Sequence, residues 1–127
     1  MNVNEKDWKL FRKLVPGWQE AFMERLNREY IELLSGDGFA SEKFWRLEDR
    51  IKQDKRRPGV IMKMKRGDME WNLRDLILDG TITFEDISDF SEETRSRIEY
   101  LVRYVQSCNE DEEESAGIEW TTDQKGG

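Results

Sequence analysis

Apolar side chains recur at three- and four-residue spacing along most of this 127-residue chain, a period that suits an amphipathic helix rather than a strand. The clearest instance is Ile98, Leu101, Val102 and Val105, an i, i+3, i+4, i+7 stripe. Only two prolines interrupt the sequence and β-branched runs are few, which argues against an all-β fold. The expected class is all-α: a single small domain of about five helices over residues 1–108, followed by a disordered acidic C-terminal tail over residues 109–127. Charged residues make up 39% of the chain, against about 25% in an ordinary globular protein, so the core stripes should be thin and the charged faces long.

Asn4 is placed to cap a first helix running roughly from Glu5 to Leu14, with Trp8, Leu10, Phe11, Leu14 and Val15 as its apolar residues. Pro16-Gly17 should break it. A second helix is expected from Trp18 to Leu34, with Phe22, Leu26, Tyr30 and Leu33 at helical spacing, ended by Ser35-Gly36-Asp37-Gly38. Ser41 is placed to cap a third, whose inner face would be Phe44, Leu47 and Ile51, flanked by Trp45. Pro58-Gly59 stops that pattern, and residues 60–64 fit an extended piece or a helical start equally well. Gly67-Asp68 opens a further helix with Met69, Leu73, Leu76 and Ile77 inward, ending at Asp79-Gly80. Thr83 is placed to cap a short helix that Phe84, Ile87 and Phe90 pin to the core, and Ser91 to cap the last helix, from Glu92 to about Ser107. Trp8, Trp18, Trp45 and Trp71 sit within these patterns as core or core-edge residues.

Charge is distributed unevenly. Residues 50–66 hold eight Lys or Arg against the single Asp54, while the whole protein carries a net charge of −7. A positive stretch in an acidic protein meets either an anionic ligand or the chain's own carboxylates. Its cations, Arg50, Lys52, Lys55, Arg56, Arg57, Lys63, Lys65 and Arg66, form a candidate basic contact surface that suits phosphate. The opposite candidate is acidic: Glu85, Asp86, Asp89, Glu92 and Glu93, then Glu110, Asp111, Glu112, Glu113 and Glu114 in the tail. Ile118 and Trp120 interrupt that tail as candidate anchors of a short docking motif.

Several function classes are set aside. The chain has no histidine, which removes Ser-His-Asp and Cys-His catalysis and most zinc chemistry. The single cysteine, Cys108, excludes an internal disulfide. It lies beside acidic residues, which raise rather than lower a thiol pKa. The carboxylate groupings lack EF-hand, Glu-x-x-His or glycosidase context, so no catalytic residue, metal or cofactor is expected. Residues 69–90 have the outline of a helix-turn-helix, but FEDISDF would present acids to a phosphate backbone. No apolar run approaches the length of a membrane span and the N-terminus does not resemble a signal peptide. A cytoplasmic protein without a membrane partner is expected.

WQEAFMERLNREYIELL, SEKFWRLEDRIKQDK, PGV and DGTITFEDISDFSEE resemble a group of small uncharacterised bacterial helical proteins, over about residues 8–100. Some of these carry a transporter label, which the lack of an apolar span contradicts here. The resemblance implies a soluble single domain and brings no catalytic residues with it. The functional expectation is a non-enzymatic regulator or inhibitor that binds a protein partner through charge-complementary surfaces. Its target could be a nucleic-acid-handling protein that the acidic surface mimics nucleic acid to reach. The alternative is direct DNA or RNA binding by residues 50–66, with the acidic tail as internal competitor.

Overall fold

The computed structural model describes the backbone of residues 3–126 and the side chains of residues 3–110. Its elements are α1 (Glu5–Ser35), α2 (Ala40–Asp54), a 3-10 turn (Arg66–Asp68) leading into α3 (Met69–Leu78), a second 3-10 turn (Phe84–Ile87), and α4 (Glu92–Gly126). The class is all-α, with four α-helices and no strand among the described residues.

The count differs from the expected five because Pro16 lies inside a helix instead of between two. A proline there leaves the Arg12 carbonyl without its i+4 donor, at a cost of about 3 kcal/mol. Pro16 and Gly17 are exposed, so water can take that carbonyl. What keeps α1 whole is phase: Phe11, Val15, Phe22 and Leu26 are all buried, and their spacing stays on one helical face through the proline. The result is a 31-residue helix, about 46 Å long at 1.5 Å per residue. Asn4 caps it as expected, its side chain accepting from the N–H groups of Lys6 and Asp7.

The core gathers Phe11 and Val15 of α1, Met69, Leu73 and Leu76 of α3, and Ile98 and Val102 of α4, closed by Ile82, Ile87 and Phe90 from the connecting segment. Trp8 and Trp18 pack at its edge. Gly80, with φ 79°, lets the chain leave α3 in a left-handed conformation that a side chain would resist. Thr83 and Asp86 form a reciprocal capping box on the second 3-10 turn. Phe84 corrects an expectation: it stays 43% exposed while Ile87 and Phe90 are buried. The helical backbone of α4 also continues beyond Ser107, to Gly126. Asp111, Glu112, Glu113, Glu114, Ile118 and Trp120 have side chains outside the described residues, and the expected disorder of 109–127 falls largely on that segment.

Two buried carboxylates organise the α1–α3–α4 junction. Asp7, 3% exposed, accepts from the Ser91 N–H at 3.0 Å, the Ser91 hydroxyl at 2.6 Å and the Thr94 hydroxyl at 2.7 Å. It thereby supplies an anion to the positive N-terminal end of α4. Glu70 on α3 is buried and accepts from the Arg97 guanidinium of α4. Burial alone would raise the Asp7 pKa, but the Ser91 and Thr94 hydrogen bonds and the nearby Arg97 charge outweigh it and hold the carboxyl below its usual value. A depressed pKa contributes stability that is present above the unfolded value, near 3.9, and is lost as pH falls through the folded one. Asp7→Ala is therefore expected to cost about 1.5–3 kcal/mol at neutral pH. Urea denaturation should show that difference shrinking as pH is lowered below about 4; an undiminished gap would remove Asp7 from this role.

Candidate functional site

The basic stretch does not form one surface. Asp54, its lone acid, is buried and gathers part of the stretch around itself. Tyr30 of α1 donates its hydroxyl to Asp54 at 2.6 Å, and Arg57 donates to it at 3.2 Å. Arg50 lies 3.4 Å from the same carboxylate and also reaches Glu29. Arg57 continues to the Asp79 carboxylate at 2.9 Å, joining the end of α2 to the end of α3. Arg66 is spent at the other end of α1, paired with Glu5. Three of the eight candidate cations thus serve the fold. Lys52, Lys55, Arg56, Lys63 and Lys65 are exposed and make no ion pair among the described residues.

Around this clasp the packing is close. The Arg57 guanidinium lies 4.6 Å from the centre of the Phe22 ring, and Arg25 lies 5.2 Å from it. Gly59 is buried against the same ring, where a β-carbon would overlap Phe22. Residues 57–66 therefore lie fixed along α1: Gln19 bonds the Pro58 carbonyl near one end and Arg66 bonds the Val3 carbonyl at the other. Arg56 and Lys63 do share a groove of about 460 Å³, but Asp75 and Asp79 line it too. Its mixed sign makes a poor track for phosphate.

The clasp also sets the rotation of α2. Only Lys43, Leu47, Arg50 and Asp54 of that helix are not fully exposed, a row at i, i+4, i+7 and i+11 of which three are charged. The expected inner face is therefore turned mostly outward: Phe44 is 61% exposed, Ile51 43% and Trp45 63%. Ser41 does not cap the helix either; Phe39 occupies that position without a side-chain bond. The stripe was recognisable from its spacing, but its partner was not, because a polar row made by Tyr30, Asp54, Arg50 and Glu29 occupies the α1–α2 seam. Asp54 and Tyr30 were missed as organisers. The available signal was a single acid at i+4 from Arg50 and i−3 from Arg57, the spacing at which helical side chains meet.

The outward face of α2 forms a trough. A groove of about 360 Å³ runs over Phe44, Leu47 and Ile51 between Glu48, Lys52 and Lys55. A second, of about 300 Å³, shares Ile51 and Lys55 and continues over Met23, Leu26 and Val60. The trough's floor is apolar, and its charged lining is Lys52 and Lys55 together with Glu48 and the Asp54 of the clasp.

The acidic candidates lie elsewhere. Glu85 and Asp86 sit on the second 3-10 turn, Asp89 follows it, and Glu92 and Glu93 open α4; all are exposed. Asp86 is engaged with Thr83 and Glu93 with Arg97. Glu85, Asp89 and Glu92 make no ion pair among the described residues. Glu110 is exposed on α4. Tyr100 and Tyr104 stack on an exposed face of α4 with ring centres 6.4 Å apart. No helix among the described residues is long and apolar enough to cross a membrane. Comparison with protein-family models, curated proteins and solved structures finds no match to this chain.

Burial, together with donation to the Asp54 carboxylate and its charge, pushes the Tyr30 phenol up to about 12. A raised folded pKa contributes stability that is complete below the unfolded value near 10 and lost as pH rises through about 12. In a spectrophotometric titration, Tyr30→Phe should remove the tyrosine component that ionises near pH 12. Its continued presence in the variant would refute the assignment.

Proposed function

We propose that this protein is a non-enzymatic binding protein whose α2 trough receives an acidic, amphipathic segment of a partner protein. The observation that supports this most directly is the outward Phe44, Trp45 and Ile51 on a helix whose inward row, Leu47 apart, is charged. An aromatic-rich exposed strip is a common form of interaction surface. Three to four turns of α2, with anchors at i, i+3 and i+7, suit a helix laid into a groove. Apolar contact would supply most of the affinity, while Lys52 and Lys55 would select carboxylates and speed encounter.

In the same reading, the exposed carboxylates Glu85, Asp89 and Glu92 offer a second contact to a basic partner. That is the form a regulator or inhibitor of a nucleic-acid-handling protein would take, with fixed acids standing in for phosphates. Direct DNA or RNA binding is the second reading. The five cations without a described ion pair favour it; the loss of Arg50, Arg57 and Arg66 to the fold weighs against it.

Selection from a displayed library of random 14-residue peptides tests the first reading. Enriched sequences should combine Asp or Glu with Phe, Trp, Leu or Ile, and Phe44→Ala or the pair Lys52→Glu/Lys55→Glu should weaken them at least tenfold. Enrichment of basic peptides, or binding indifferent to these changes, would overturn it. A fluorescent 20-nucleotide probe separates the second reading: tight binding at 50 mM salt that collapses at 200 mM would put nucleic acid first.

A further inference from the structure

We propose that the open side of the α1–α2 hairpin is one half of a two-fold interface, covered by the same face of a second copy. This rests on the α2 trough being a docking surface, and names α2 of the other copy as the amphipathic segment it receives. The open face is wider than α2 alone. Met23, Asn27 and Tyr30 of α1 line the groove beside Ile51, and Ile31 and Leu34 follow Asn27 at i+4 and i+7, on the same side of α1. Ile31 is 63% exposed and Leu34 44%. They lie 16 and 19 residues beyond Val15, the last α1 residue of the core cluster, so α3 and α4 do not cover them. Both helices of the hairpin therefore present apolar residues on one uncovered side, with Phe44, Leu47 and Ile51 as the α2 row. A helix pair open on one side is completed by a like pair, as in a four-helix layer.

The mixed charges of this face fit its own copy. Asp54 is committed to Tyr30, Arg50 and Arg57. Glu48, Lys52 and Lys55 remain, exposed and without an ion pair among the described residues. Glu48 precedes Ile51 by three residues and Lys55 follows it by four, about 4.5 and 6 Å along the helix. Two α2 helices that cross antiparallel at Ile51 thus set Glu48 of each copy against Lys55 of the other. Lys52, next to the crossing point, has the long stem needed to keep its ammonium in water. The same crossing has a steric complement. Phe44, 61% exposed, lies seven residues before Ile51, while the groove over Met23, Leu26 and Val60 extends from Ile51 past Lys55, in the opposite direction. Phe44 of each copy is then carried toward that groove on the other. Each patch meets its own image, so the assembly closes at two copies.

Sedimentation velocity on the full chain from about 1 to 300 µM, a range that brackets a micromolar Kd, tests this. The expected result is a monomer–dimer equilibrium that goes no further than two copies. Phe44→Ala should weaken it at least tenfold, as should Glu48→Lys or Lys55→Glu alone. Combining the two charge changes should restore it, because each pair has then been reversed. In a Cys108→Ser background, Ile51→Cys should oxidise to a covalent dimer, because the crossing brings the two copies of that position together. Gln53→Cys, about 200° around α2 from Ile51, should not. Phe44, Glu48, Ile51, Gln53 and Lys55 are exposed, and circular dichroism checks that the fold persists. A wild-type protein that stays monomeric, growth beyond two copies, no restoration in the charge-reversed pair, or equal cross-linking at both positions would overturn the proposal. Selected peptides that bind the trough of a monomeric protein would remove the second copy and leave the proposed function standing; loss of both would remove the trough reading itself.

Discussion

One uninterrupted helix positions everything else in this fold. Because α1 carries its apolar stripe through Pro16 without a change of phase, it acts as a rigid ruler, and each later element is fixed to a particular level of it. Asp7 holds the start of α4, Phe11 and Val15 hold the α3–α4 core, Phe22 receives Gly59 and Arg57, and Tyr30 holds the end of α2. Had the chain broken at Pro16-Gly17, α2 and the basic segment would be held to the core by the Arg57–Asp79 and Asn72–Lys63 contacts without the helix that sets their level. The helical hydrogen bond lost at the proline is therefore offset by two sets of contacts that need each other's register.

The exposure of the α2 strip follows from that attachment. A helix folded back on α1 through the short Gly36–Phe39 connection could have buried Phe44 and Ile51. Instead Arg50 and Asp54 face α1, because Asp54 is the acceptor for Tyr30 and both arginines. Replacing an apolar seam by a polar one rarely strengthens a fold, since desolvation of the charges consumes much of their attraction. A seam of that kind sets the rotation of α2 and leaves its apolar residues available. Taken with the apolar trough beside it, the strip is a surface that packing within the fold does not account for.

Much of the fold was legible from spacing alone. The α3 stripe, the Ile98–Val102 pair, the Asn4 cap, the Thr83 turn and the Ser91 start of α4 follow from local rules about helical period and capping. The continuity of α1 was also present, in the unbroken phase from Phe11 to Leu26, but local propensity at Pro-Gly pointed the other way and tertiary burial prevailed. The site was much less legible. Which face of α2 turns inward depends on contacts between residues 24 positions apart, Tyr30 and Asp54, and periodicity carries no information about a partner at that distance. Phe84 escaped for another reason: its spacing matches Ile87 and Phe90, and a 3-10 turn puts i and i+3 on one side, yet as the first residue of the turn it stays exposed while the other two are buried.

The sequence's charge segregation acquires a different meaning in three dimensions. The cations that the fold consumes, Arg50, Arg57 and Arg66, are all arginines, whereas four of the five left to solvent are lysines. A planar guanidinium can bridge several acceptors at once, as Arg57 does between Asp54, Asp79 and the Asp79 carbonyl, and it lies flat on an aromatic face. An ammonium on a flexible stem does neither as well and stays hydrated. The basic stretch thus divides into two sets within one run of residues: Arg50, Arg57 and Arg66, which lock α2 and the following loop onto α1 and α3, and exposed cations, of which Lys52 and Lys55 line the trough. Reading the net charge of the segment as a single electrostatic surface overstates its pull on phosphate, since three of its eight cations are held by the fold and Lys52 and Lys55 lie beside apolar residues instead of beside the other free cations.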